Sequence, residues 1–449
     1  MAYPLKQSTL RLALSGVLGL GSLFALPGAH AMTVLQAYEA ALQNDAAYRA
    51  AYYAAEAGKE NRTLGMSNLL PSINGSYSAS QNRTTLEVGK DIHPYDYISR
   101  SSTVQLRQSL FNLDGWFRFK QGAAQSKYTD AQFASQQQEV IVRVMSAYLD
   151  VLYKQDLLAL AKVERDMYLE QRKVNDRLFE KGEGTRTDML ETQARLDASQ
   201  AQVLETEDAL QFSRDTLSSI VGGEIGTLDV LMLDFAPRPA DSVSFEAWKT
   251  IALERNPDIK AARLGVEIAT QDINRQRSGH APRVDFVATY GKTASDSITT
   301  VNQDQTIRSL GVQINIPLYS GGAVNAQTRQ SVANKLKAEA DLQAQTDKVV
   351  LELRKDYSSL LSSITRLGAL EKAVASATTL IDATQRSVAG GVRINLDVLN
   401  ARQQLFTVKR DQAQARYNYL LITLRMRAAV GTLSGDDLRE IAPYFRPAA

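Results

Sequence analysis

The chain has 449 residues, 51 Lys and Arg against 49 Asp and Glu, three histidines and no cysteine. Charges this balanced and interspersed give no electrostatic footprint for nucleic acid, and without cysteine there is neither a disulfide nor a lipid-bearing N-terminal thiol to hold the chain. His30, His93 and His280 alone cannot build a His-rich zinc site, so no metal or other cofactor is expected.

The chain opens with Lys6 and Arg11, an apolar run from Leu12 to Leu26, Pro27, and the small-residue pattern Ala29-His30-Ala31. That order predicts a signal peptide over residues 1–31, cut after Ala31. Its run of about 15 apolar residues falls short of the roughly 20 that a membrane helix needs. Both basic residues leave with it, so the exported chain is near neutral. No later stretch approaches a membrane helix, and entry into a membrane would need a β-barrel, the other solution that satisfies its own backbone.

Beyond the signal, the sequence matches itself at a shift of about 209 residues. Ala41-Leu42-Gln43-Asn44-Asp45 lies over Ala252-Leu253-Glu254-Arg255-Asn256, Gly182 over Gly391, Asp188 over Asp397, and Val221-Gly222 over Val430-Gly431. The domains are therefore two copies of one unit, 32–236 and 237–449. Helices are predicted near 34–69, 116–181 and 187–220, then near 246–281, 323–389 and 398–429. The basis is long proline-free runs of good helix formers. Val140, Val144, Ala147, Val151 and Leu158 form a heptad-like stripe, and Val349, Leu353, Tyr357, Leu360 and Ile364 its counterpart, as in coiled coils. In each unit the two shorter helices together match the long one, which would reach roughly 100 Å.

Between first and second helices lie segments with period-two alternation, at 73–78 and 104–107, then 284–289 and 310–316. They read as strands with one apolar and one polar face. The polar linkers 82–103 and 293–308 read as exposed hairpin loops, and Phe111, Tyr290 and Tyr319 as interfacial aromatics at strand ends. About four strands cannot close a barrel, for which roughly eight is the smallest useful number. Three chains would give twelve.

Four stretches carry a family resemblance: Pro317-Leu318-Tyr319-Ser320-Gly321-Gly322, Leu396-Asp397-Val398-Leu399-Asn400, Ala415-Arg416-Tyr417-Asn418-Tyr419-Leu420 and Ala429-Val430-Gly431-Thr432-Leu433. In this order, on a duplicated chain with a signal peptide, the sequence resembles the TolC family of outer-membrane channel-tunnels over its mature length. The resemblance implies an α+β membrane protein, a homotrimer whose long coiled-coil-like helices form a periplasmic barrel. Its four strands per chain join a twelve-stranded β-barrel in outer-membrane lipid. It further implies an exit duct, docked on a periplasmic adaptor (membrane fusion) protein and an inner-membrane ABC exporter or proton-driven efflux pump. The absent lipid-anchoring cysteine favours type I protein secretion; the alternative is a multidrug efflux channel.

The turns at 182–188 and 390–397 would then ring the periplasmic pore entrance. Gly182, Gly184, Gly390 and Gly391 are expected as hinges. Arg186, Asp188, Arg393, Asp397 and Asn400 are expected to hold the constriction through salt bridges and carboxylate rings. Arg393 and Asp397 match the family's tip arginine and first pore aspartate. Asn400 stands where the family has its second, and Val388 where it has a tyrosine. A plainer use of Asp188 and Asp397 is helix capping. No phosphate loop, Gly-x-Ser-x-Gly elbow or cluster of metal ligands supports an enzyme; Gly222-Gly223-Glu224-Ile225-Gly226 follows a helix and ends it. A soluble periplasmic coiled-coil adaptor or scaffold is the other rival, and the alternation at 310–316 speaks against it.

Overall fold

The computed structural model describes residues 31–232, 235, 237, 244–295 and 303–447; the expected signal peptide, apart from Ala31, lies outside them. Thr33 starts the first helix through a reciprocal cap with Gln36, each side chain accepting from the other's amide. α1 (Val34–Asn44) stops at Asp45, whose backbone is extended and whose carboxylate accepts from the Tyr48 amide at 2.6 Å to begin α2 (Ala46–Ser67). β1 (Ser72–Val88) and β2 (Asp91–Phe111) follow, turning at Gly89 with φ of 68°. The chain then forms α3 (Leu113–Glu180) and α4 (Arg186–Val221), and β3 (Val230–Leu231) closes the first unit.

The second unit repeats the plan. α5 (Phe245–Arg255) and α6 (Pro257–Arg277) lead to β4 (Arg283–Ser295) and β5 (Gln303–Asn315), then α7 (Ala323–Ala389) and α8 (Asn395–Val430). α9 (Gly435–Ile441) and β6 (Phe445–Arg446) end it. The single helices expected over 34–69 and 246–281 are thus each two. In the second, the cause is local: a residue before proline is pushed out of the helical region, and Pro257 fits at a first helical position.

The four long strands form one sheet in the order β1-β2-β4-β5, every neighbouring pair antiparallel. The expected loop 82–103 is instead strand apart from the turn at Gly89, each residue paired across the hairpin. Thr84, Thr85, Tyr95, Tyr97 and Ile98 suit a pleated surface even where both faces are polar. Likewise 293–295 and 303–308 are strand, while 296–302 lie outside the described residues. Tyr290 accordingly lies inside β4 rather than at its end. The register separates two faces. Ile73, Leu106, Ala288 and Leu310 line up across one, joined by Tyr77, Phe286, Val312 and Ile314. The other carries Ser72, Asn74, Gln105, Thr289, Ser309 and Gln313. Leu310 is 79% exposed, and Ile73, Tyr77, Val312 and Ile314 are exposed with it among the described residues, while Leu106, Phe286 and Ala288 are half-buried on the same face.

α3, with 68 residues, spans roughly 100 Å. α2 packs along its first half and α4 along its second, while α6 and α8 lie on its other side. Near the sheet α2 and α3 approach so closely that a Cβ on Gly122 would sit 2.2 Å from the Asn61 carbonyl oxygen. Toward the far end α4 buries two heptad rows. Leu196, Val203 and Leu217 form one, and Thr192, Ser199, Thr206 and Ser213 the other. Each of these hydroxyls donates to a carbonyl three or four residues earlier in its own helix. The polar row is therefore satisfied inside one helix, and its small side chains permit close packing.

Where the half-length helices meet, the two units use equivalent joints. Asn44 Nδ2 donates to the Val221 carbonyl at 2.8 Å, and Asn256 Nδ2 to the Ala429 carbonyl at 2.9 Å. Each receiving helix ends on a left-handed glycine, Gly222 at φ 78° and Gly431 at φ 81°. The Arg143 guanidinium clamps the buried Asp45 carboxylate at 3.0 and 3.2 Å. Around the joint, Val34, Val144, Met145, Leu152, Leu424 and Leu438 belong to the main core, and the buried Tyr148 hydroxyl lies 2.9 Å from the Met32 carbonyl and 3.0 Å from that of Asp229. Burial raises that phenol's pKa well above its ordinary value, keeping it neutral.

Gly431→Ala places a Cβ 2.6 Å from the Arg255 carbonyl oxygen at a positive φ, a change expected to cost about 1–3 kcal/mol. The helical circular-dichroism signal should then melt at lower temperature, while Gly223→Ala, where a Cβ meets nothing within 4 Å, should leave the melt unchanged.

Candidate functional site

α3 leaves the sheet at Leu113 and ends 68 residues away, so its turn into α4 lies at the far end of the molecule. The turn from α7 into α8 is its counterpart. At the first, Gly182 takes φ of 76°, and the Glu183 and Gly184 amides return to the Leu178 carbonyl at 2.8 and 3.0 Å. At the second, Gly391 takes φ of 71°, and the Val392 and Arg393 amides return to Ser387 at 2.9 and 3.3 Å. Both reversals satisfy helix-end carbonyls through a left-handed glycine. Gly184 and Gly390 lie outside the left-handed region.

Asp188 is engaged with its own helix end. Thr185 caps α4, its hydroxyl accepting from the Asp188 amide at 3.1 Å and donating to the Asp188 carboxylate at 2.6 Å. It sits at the third helical position rather than the cap itself, closing the box from inside. Asp397 holds the same position in α8, but Ile394 precedes that helix with no side-chain cap. Asp397 is half-buried, Arg186 and Arg393 are exposed, and none of the three forms an ion pair within the chain among the described residues. Val392, 82% exposed, and Ile394 add an uncovered apolar edge to this turn.

Asn400 is engaged differently: its Oδ1 accepts from Arg195 of α4 at 2.7 Å. Two more bridges run alongside. The Tyr168 hydroxyl of α3 donates to Gln403 Oε1 at 3.1 Å, and Gln171 Nε2 to Asn395 Oδ1 at 3.1 Å. Beneath them Tyr168, Leu196 and Leu399 form a small buried cluster. Buried Asn175 donates to Thr192 at 2.7 Å, extending the polar seam between α3 and α4. Burial raises the Tyr168 phenol above its ordinary pKa, with Glu164 adding to the effect. The α8 tip is thus tied to the α3–α4 hairpin through Asn400, which sequence reasoning singled out, and through Arg195, Tyr168, Gln171, Asn395 and Gln403, which it did not. A signal existed: buried Ala161, Tyr168 and Asn175 are spaced by seven, and an Asn on such a row sets register between helices.

The family model described as "Outer membrane efflux protein" matches residues 37–223 and 248–432. Alkaline protease secretion protein AprF of Pseudomonas aeruginosa is 37% identical over 443 residues, 97% of this chain and 92% of the relative. Proteases secretion protein PrtF of Dickeya chrysanthemi is 35% identical, covering 94% and 92%. Among solved structures, the Campylobacter jejuni CmeC outer membrane channel superposes with a TM-score of 0.77 at 15% identity, covering 97% of this chain and 98% of that one. At that identity the likeness speaks for the fold alone.

Two of the three bridges can be removed together with Tyr168→Phe and Asn400→Ala. At about 1 kcal/mol per hydrogen bond, so about 2 kcal/mol in each copy, the open fraction of single channels in planar bilayers should rise roughly thirtyfold or more. An unchanged open fraction would mean that these contacts do not hold the tip closed.

Proposed function

We propose that this chain, which belongs to the outer membrane efflux protein family of TolC-type channel-tunnels, assembles with two further copies into an exit duct for type I protein secretion. The observation that carries the reading is the four-stranded sheet, which among the described residues has one largely exposed apolar face and two unpaired edges. An open edge cannot face lipid, and four strands cannot close on themselves. Because every neighbouring pair is antiparallel and the strand number even, β5 of one copy meets β1 of the next in antiparallel sense. The apolar face then meets lipid and the polar face lines a water-filled lumen.

The likeness to two protease secretion proteins supports a polypeptide cargo over small drugs, and the absence of cysteine agrees. In this reading residues 1–31 are removed on export, and 32–236 and 237–449 are the products of a duplication. An inner-membrane exporter and its periplasmic adaptor meet the helical tip, where exposed Val392 and Ile394 offer an apolar edge beside Arg393. Three copies of Asp397, with Arg393, Asn400, Arg186 and Asp188 nearby, surround the constriction, and Gly182, Gly184, Gly390 and Gly391 let its turns move. Among the described residues Asp397 has no ion-pair partner in its own chain, as a carboxylate turned toward a shared axis would.

Leu310→Arg puts a charge on the lipid-facing side at a cost of about 2–4 kcal/mol, and should abolish trimers in the outer-membrane fraction, whereas Ser309→Lys on the opposite face should not. In a host lacking its own duct but supplied with the exporter and adaptor, the unmodified chain should restore extracellular protease and Leu310→Arg should not. Restored drug resistance without restored protease export would instead identify an efflux channel.

A further inference from the structure

Short of the hairpin tip, where Asp91 sits, the polar face of the sheet is charged at one level among the described residues. Arg107, Arg283 and Asp285 share that face at the end nearest the helices. No other charged side chain lies on it between residues 72 and 82, 99 and 109, 287 and 293, or 305 and 315. Asp285 is 3% exposed. Arg283 Nε lies 3.0 Å from its Oδ2, Arg107 Nε 3.3 Å from the same oxygen, and the Ser109 hydroxyl donates to Oδ1 at 2.8 Å. Arg107 also donates to Gln313 at 3.2 Å, which holds it across the sheet. Its Nε is too poorly aligned on Asp285 for a hydrogen bond. Two guanidiniums, both more than two-fifths exposed, thus share one buried carboxylate.

We infer that these residues form a cationic collar at the base of the barrel, which attracts carboxylate-bearing segments of cargo as they pass from the helical tunnel. The inference rests on the trimeric barrel above. Two positive charges against one negative leave one excess charge per chain, hence three around the lumen. The buried carboxylate fixes both guanidiniums in place, and the neutral wall of Ser, Thr, Asn and Gln beyond leaves their field uncompensated. A wall of hydroxyls and amides lets a chain slide; a single charged level gives it a preferred station.

The test is block of single-channel current by polyglutamate added on the barrel side, from which the collar is reached without crossing the helical tip. Arg107→Gln cancels the excess charge yet leaves Asp285 paired with Arg283, and Asp285→Asn doubles it. Block should weaken roughly tenfold in the first and strengthen in the second. Both effects should shrink as salt rises from 0.1 to 1 M and the screening length falls from about 10 to 3 Å. Polylysine should show the opposite order. Opposite responses to two substitutions in one cluster cannot come from general damage. Equal block in all three conducting proteins would overturn the collar while keeping the channel; no conductance in any would overturn the channel itself and the collar with it.

Discussion

Lipid offers no hydrogen bonds, and everything about this protein's assembly follows from that. β1 and β5 each present a row of amides and carbonyls with no strand partner among the described residues of their own chain, and each such group left bare in hydrocarbon would cost several kcal/mol. The apolar face beside those edges, with Leu310, Val312, Ile314, Ile73 and Tyr77, is equally unsuited to water. Lipid around the face and a neighbouring copy at each edge satisfy both demands at once. The even, fully antiparallel strand order makes each copy a repeating wedge rather than a complete object.

The helical half answers a different demand, reach. A helix of 68 residues reaches far beyond the core at its middle, so the rest of its length needs partners of its own. Two half-length helices supply them, joined where Asn44 and Asn256 side chains bond the last carbonyls of the facing helices. The joint is also where the hydrophobic core is thickest. Away from it, the α3–α4 seam turns polar and small, with Asn175, Thr192 and Ser199 buried. Such a seam holds register while contributing little apolar burial, so the firm middle of the molecule carries a loosely held end.

Much of this was legible in the residues. The long proline-free runs placed α3, α4, α7 and α8, since nothing in them interrupts the helical ladder. The alternation at 310–316 gave the lipid face of β5 because a strand's side chains must alternate. What escaped was decided by tertiary pairing. Residues 82–103 read as loop because both faces are polar there, yet all but the turn residues Gly89 and Lys90 find a partner across the hairpin. The break at Asp45 carries no proline and is set by the clamp from Arg143, 98 residues away. At the tip, the charges singled out from the turns make no ion pairs within the chain among the described residues, whereas Tyr168, Arg195 and Gln403 form bridges visible only once α8 lies beside α3 and α4.

The central claim is that three copies close one barrel through β5 and β1, and the lack of native cysteine makes it directly measurable. One cysteine at Asn74 in β1, paired in turn with one at Ser309, Gly311 or Gln313 in β5, scans the junction between neighbouring copies along the polar face. A disulfide needs Cα atoms roughly 4.4–6.8 Å apart, so it forms only where those edges meet. On a denaturing gel after oxidation, the account requires at least one pair to yield linked dimers and trimers and nothing larger. A ladder that stops at dimers or runs past trimers, or no link from any pair in a membrane-inserted oligomer, would contradict it.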